Sequence, residues 1–179
     1  MSIIFGTDGW RALLEKEINF ESICIVAQAF SDYINKHYQS PSVLIGYDNR
    51  TYSKDFAHSF AKVLSGNGIK ASISNSIIPT PILSFNVKHL KYSAGVMITA
   101  SHNPAEYNGV KFKSSFGSPF FTEETKKEEE LLFKSTVKQS DENITTLDLI
   151  PAYKEQLYKL VDINKICNSK LKFAVDSMG

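Results

Sequence analysis

The sequence predicts an α/β fold: a mixed, largely parallel four-stranded sheet between helices, followed by the start of a second α/β unit. Three observations lead there. Short apolar runs bounded by Gly, Pro, Asn and Ser alternate with segments whose apolar residues recur at helical spacing. Each helical segment is long enough for the crossover of about a dozen residues that a parallel return requires. Periodicity then lapses into a polar stretch at 135–146 and resumes beyond it. The first unit is therefore placed at 1–140, and a linker with the truncated start of a second at 141–179.

The elements follow in order. Asn19 is a candidate N-cap for a helix whose inner face carries Ile23, Val26, Ala27, Phe30, Tyr33 and Ile34. Pro41 interrupts it, and Val43-Leu-Ile-Gly-Tyr47 reads as a buried strand. Ser53 is placed as the cap of a second helix with Phe56, Phe60, Val63 and Leu64 inside, and Gly66-Asn-Gly68 ends it with left-handed backbone. A strand at 70–74 precedes a short helix with Thr80 as cap and Pro81 at its first position. A third apolar strand at 93–98 and an edge strand at 109–113 complete the sheet. A helix at 122–133 has Thr122 as cap and Glu123 and Glu124 at its favourable end. Beyond the polar stretch, a helix from Pro151 with Tyr153, Leu157, Leu160 and Val161 inside leads to a strand at 171–175. A lone helix and strand cannot form a core.

Composition narrows the function. Lys and Arg total 20 against 19 for Asp and Glu, so no electrostatic footprint for nucleic acid or an anionic membrane exists, and any anion must be held locally. Cys24 and Cys167 stand far apart with no metal-ligand spacing, which places the chain by default in a reducing, cytoplasmic setting. The amino-terminal residues lack a signal-peptide pattern, and no stretch is long and apolar enough to span a bilayer.

The chemistry concentrates in Gly95-Val-Met-Ile-Thr-Ala-Ser-His-Asn-Pro-Ala-Glu-Tyr-Asn-Gly-Val-Lys111, where a buried strand delivers Ser101 into a polar loop closed by Pro104. Ser101 lacks the Gly-x-Ser-x-Gly setting of hydrolases, and the adjacent His102 diverges from it, so acyl transfer fits poorly. A serine that carries a phosphoryl group needs amide donors and fixed positive charge. His102, Lys111 and a remote arginine are the available cations, and pairing of the 109–113 strand is expected to return Lys111 beside the serine. Plainer readings stand beside these. Lys111 alternates with Val110 and Phe112 as a solvent-facing edge lysine does, Arg11 suits a surface ion pair, and Asn103 suits a turn. Asp48 and Arg50 are read as bonding to each other or to nearby backbone. Gly6, Gly9, Gly95 and Gly109 form no nucleotide loop.

Three stretches together resemble the alpha-D-phosphohexomutase family of phosphoglucomutases and phosphomannomutases: Phe5-Gly-Thr-Asp-Gly-Trp-Arg-Ala12, Gly46-Tyr-Asp-Asn-Arg50, and Thr99-Ala-Ser-His-Asn-Pro104 followed by Tyr107-Asn-Gly-Val-Lys111. Their order and separations match the family's first domain over 5–121, with weaker similarity as far as Val175-Asp176. The resemblance implies that Ser101 is a phosphoserine, that Arg11 and Lys111 orient phosphate or move protons, and that His102 and Asn103 shape the loop and meet phosphate. It also implies magnesium, held here only through the phosphoryl group on Ser101, with the remaining ligands in the second domain. A hexose 1,6-bisphosphate activator and a hexose phosphate substrate, glucose or mannose, are implied too. Sugar recognition belongs to the family's later domains, so the chain alone is expected to be inactive. The rival from another class is a non-catalytic phosphate-binding module.

Overall fold

The computed structural model describes residues 3–6 and 8–176; Thr7, within the first motif, lies outside them. The elements are β1 (Trp10–Leu13), α1 (Phe20–His37), β2 (Ser42–Tyr47), α2 (Ser53–Gly66), β3 (Lys70–Ser74), α3 (Thr80–His89), β4 (Ala94–Ile98), β5 (Tyr107–Ser114), α4 (Thr122–Glu129), β6 (Ile144–Leu147), α5 (Ile150–Leu160) and α6 (Ile163–Cys167). One sheet runs in the order β1-β5-β4-β2-β3-β6. The strands β4, β2, β3 and β6 are parallel, and β5 is antiparallel to both β1 and β4.

The sheet thus has six strands where the sequence suggests four. The two additional strands are four residues each and lack a long apolar run. Trp10-Arg-Ala-Leu13 becomes a strand because β5 offers it a partner, with Trp10 beside Val110 and Arg11 beside Gly109. Ile144-Thr-Thr-Leu147 does so against β3, where the Thr145 and Ser72 hydroxyls lie 2.8 Å apart. The sheet therefore continues past residue 140. With β1 covering it, β5 is interior and not an edge strand, and its two lysines are buried, Lys111 at 8% and Lys113 at 3% exposure.

Alternation divides the core between the two faces of the sheet. Val43, Ile45, Val96, Val110 and Phe112 meet α1 and α2 through Ile23, Phe30, Phe56 and Phe60, and the Phe30 and Phe112 rings stack at 5.0 Å. Leu44 and Met97 point the other way, onto Ile82, Leu83 and Val87 of α3. Asn19 caps α1 as expected: its side chain accepts from Ser22 N at 3.0 Å while Ser22 Oγ accepts from Asn19 N at 2.9 Å. Three other caps shift by one residue. Tyr52, Pro79 and Phe121 hold the cap positions of α2, α3 and α4, with Ser53, Thr80 and Thr122 as first helical residues. Ser53 is drawn inward by Asp48, to which its hydroxyl donates at 2.7 Å. The α4 helix ends at Glu129, short of the expected 133.

Beyond β6 the packing thins. Tyr153 of α5 meets Phe85 edge-on at 5.6 Å, but Leu157, Leu160 and Val161, expected inside, are 40%, 72% and 40% exposed. Residues 171–175 do not form the expected strand, because among the described residues no strand lies alongside to pair with them.

One buried charge site is energetically exposed. Glu128 of α4 is fully buried, and neither carboxyl oxygen has a hydrogen-bond partner among the described residues. Burial pushes its pKa well above the ordinary 4.5. Nearby on α1, burial and then Glu124 and Glu128 raise the Tyr33 hydroxyl to about 12. A raised folded-state pKa contributes stability that is complete below the unfolded value and lost as pH rises through the folded one. Glu128→Met is therefore expected to stabilise the chain by about 1–3 kcal/mol at pH 8, the usual cost of an unsatisfied buried group. Urea unfolding should show the gap between variant and parent widening from pH 5 to pH 8; a constant gap would count against it.

Candidate functional site

The site is built where β4 ends. Thr99 N continues the strand pairing by donating to Gly109 O at 2.9 Å, and the chain then turns into a loop held by its own short bonds. Ser101 N donates to Thr99 Oγ1 at 2.9 Å, and Asn103 N to Ala100 O at 3.1 Å. Ser101 itself is exposed and left-handed, with φ 58°. A non-glycine residue in that region is held there by its surroundings, and such strain clusters at functional sites.

The main restraint is Arg50, just after β2. Its Nη1 donates to Pro104 O at 2.7 Å and Tyr107 O at 3.1 Å, and its Nη2 to Ser101 O at 2.9 Å and Asn103 O at 2.6 Å. Asp48 sets the guanidinium from behind: its Oδ2 lies 3.4 Å from Nε and its Oδ1 accepts from Arg50 N at 3.0 Å. The structural role read for this pair in the sequence is thus seen in both its forms. Charge-assisted bonds contribute about 1.5–3 kcal/mol each, so Arg50→Met should raise amide exchange at Asn103 and Tyr107 by at least about tenfold. The amides of β2 and β4 should keep their protection. Unchanged loop exchange would remove Arg50 from this role.

Arg11, on β1, donates through Nη1 to Asn103 Oδ1 at 3.2 Å, which joins the first motif to the serine loop. His102 is exposed and Asn103 half-buried. The bond of the Lys111 ammonium goes to the first motif and not to the serine loop. The strand partner of Lys111 on β4 is Met97, and its Nζ donates to Asp8 Oδ2 at 2.7 Å. Lys113 reaches the other oxygen, Oδ1, at 3.3 Å. Burial acts to raise the Asp8 carboxyl, but the two ammoniums outweigh it and hold the pKa below the ordinary value. Burial lowers Lys113, with Asp8 acting against it.

Glycine makes this approach possible. Gly9 has φ 85°, and a Cβ there would lie 1.9 Å from Val110 O, so only a residue without a side chain lets the chain cross β5 and bring Asp8 to the lysines. The result is a depression of about 330 Å³ lined by Ile4, Gly6, Asp8, Gly9 and Arg11. Another hollow, of about 540 Å³, lies at the opposite end of β2 and β3 around Ser42, Lys70 and Tyr92. The smaller one marks the candidate site, because charge converges there and it adjoins a loop at the carboxyl ends of the parallel strands.

Of the residues expected at the site, Ser101, His102, Asn103 and Arg11 come together, while Lys111 is reached through Asp8. Sequence reasoning missed Asp8 and Lys113 as members. The signal was the Lys-x-Lys spacing of 111 and 113, which puts both ammoniums on one face of a strand. For magnesium the described residues do not make a site by themselves. Among the described residues no group of three His, Cys, Asp or Glu side chains converges, and Asp8 is already engaged by two ammoniums. No helix among the described residues is long and apolar enough to cross a membrane.

Known proteins resemble this chain in sequence and in fold. The model of the family described as phosphoglucomutase/phosphomannomutase, alpha/beta/alpha domain I, matches residues 2–139. A phosphoglucomutase of Staphylococcus saprophyticus is 43% identical over 122 residues, covering 66% of this chain and 22% of its own. The chain therefore spans about a fifth of that relative's length. Among solved structures, a Thermus thermophilus protein assigned as a phosphomannomutase superposes with a TM-score of 0.84 at 36% identity, over 90% of this chain and 37% of that one. Parafusin from Paramecium reaches the same TM-score at 16% identity, over 99% of this chain and 40% of its own, and shows the fold. With its serine loop clamped at the end of β4 and residues 2–139 matched, the chain belongs to the phosphoglucomutase/phosphomannomutase family and carries that family's domain I.

Proposed function

We propose that this chain is the phosphoserine-carrying part of a phosphohexomutase that interconverts hexose 1-phosphate and 6-phosphate, with glucose or mannose as the sugar. The observation that carries the reading is Ser101: an exposed hydroxyl, on left-handed backbone, in a loop whose carbonyls at Ser101, Asn103, Pro104 and Tyr107 are fixed by one guanidinium. Phosphoryl transfer depends mainly on positioning and charge stabilisation, and such a loop presents a nucleophile in one place.

In this reading the Ser101 phosphoryl group passes to a hexose monophosphate hydroxyl, giving a bisphosphate that reorients and returns its other phosphoryl group to Ser101 Oγ. Splitting the rearrangement in this way is covalent catalysis. Arg11 and Asn103, already bonded to each other, and His102 meet the phosphoryl oxygens, and Lys111 offsets their charge. Hexose 1,6-bisphosphate serves as activator. Magnesium would add charge neutralisation, and on this chain only the phosphoryl group on Ser101 would hold it. The first unit, placed at 1–140 and extended by β6, carries the serine, and the remainder begins the second. The location is cytoplasmic, in keeping with two free cysteines.

The test is to incubate the complete gene product with labelled glucose 1,6-bisphosphate and magnesium, then map the label. Label on the peptide containing Ser101, with turnover of glucose 1-phosphate, supports the reading. Phosphate binding without label or turnover would favour the non-catalytic module.

A further inference from the structure

Lys113, like its partner Asp8, is a charged group that the phosphoserine reading leaves unused. Its side chain is 4% exposed. Its cross-strand partner is Gly95, where an added Cβ would meet Val87 Cγ2 at 2.5 Å and Lys113 Cβ at 3.3 Å. An apolar side chain would suit these neighbours better, since burying an ammonium is costly unless it is paired. Its hydrogen bond goes to the carboxylate that also holds Lys111.

That sharing has a chemical consequence. If Lys111 alone paired with Asp8, turning toward a phosphoryl group would leave a partly buried carboxylate uncompensated and facing a second anion. With Lys113 on the other oxygen, Asp8 keeps a partner when Lys111 leaves. The three groups together carry one net positive charge, to which Arg11 adds another. We propose that Lys113 is a positioning residue that keeps Asp8 neutralised while Lys111 turns to the phosphoryl oxygens on Ser101. Its role rests on the reading of Ser101 as the phosphorylated residue. The charged and titratable groups that face the Ser101 loop are Arg50, which donates to Ser101 O, with its partner Asp48, then His102 and Glu106 of the loop itself, Arg11 of β1, and Asp8, Lys111 and Lys113.

The test uses the full chain with phosphoserine inserted at position 101 during synthesis, and follows the second phosphate ionisation by ³¹P NMR. In the parent it should lie below its ordinary value near 6 by roughly half a unit or more. Lys111→Met should raise it. Lys113→Met should raise it as well, although Lys111 is still present, because Asp8 then retains Lys111. Asp8→Asn should lower it by more in Lys113→Met than in the parent, because only there does the change release Lys111; equal drops in both would report only the lost carboxylate charge and overturn the proposal. If Lys111→Met leaves the ionisation unmoved, the phosphate role of Lys111 fails, and this inference with it. If Lys111→Met moves it while Lys113→Met does not, or Asp8→Asn lowers it equally in both backgrounds, this inference alone is overturned. Should Lys113→Met not fold, the parent decides: phosphorylation must move the Lys111 Nζ resonance while Lys113 stays with Asp8, and a stationary Lys111 overturns the proposal.

Discussion

Under the proposed function, Ser101→Ala is expected to abolish the phosphoenzyme and nearly all turnover. The nearest candidate substitute, Thr99, is buried at 5% exposure, and its hydroxyl oxygen already accepts from Ser101 N at 2.9 Å. It has neither the exposure nor the freedom to attack a bound phosphoryl group. The fold should be indifferent to the change, because the side chain is exposed and alanine keeps the same backbone. The assay is transfer of label from glucose 1,6-bisphosphate with peptide mapping, alongside thermal unfolding. Transfer at the parent rate would end the assignment of Ser101, whereas loss of folding would show that the variant reports on the loop.

Lys111→Met should lower turnover roughly a hundredfold to a thousandfold, the usual range for removing one preorganised charge-stabilising donor. Methionine keeps the length of the stem and its packing within β5 while removing the ammonium. Asp8 would retain Lys113 at Oδ1, so the half-buried carboxylate is not left unpaired and the native structure should persist. The loss should fall on kcat more than on KM if the charge acts mainly in the transition state. Turnover equal to the parent with intact folding would return Lys111 to a structural ion pair.

Much of the site could be read from local sequence. Ser101 follows a continuous apolar strand and precedes Asn103-Pro104, and both features act within a few residues. The Asp48 and Arg50 pairing was equally legible, since their bond is closed within one turn after β2. The edge assignment of 109–113 was not, because alternating apolar and basic residues fit either a solvated edge or an interior strand whose lysines have a buried partner. That partner, Asp8, lies more than a hundred residues away in sequence. The shifted caps have a smaller cause of the same kind, as with Ser53, which Asp48 and Asn108 draw into the structure.

By itself the sequence determined the α/β alternation, the inner faces of α1 and α2, the α1 cap and the loop that presents Ser101, because propensity, capping and apolar periodicity are set by neighbours along the chain. Only the tertiary structure decided that Trp10–Leu13 and Ile144–Leu147 pair as strands, that β5 is interior, and that Asp8 is shared by Lys111 and Lys113. Those features depend on hydrogen-bonding partners and counter-charges supplied from remote parts of the chain. A four-residue strand or a buried lysine acquires its meaning only when such a partner arrives.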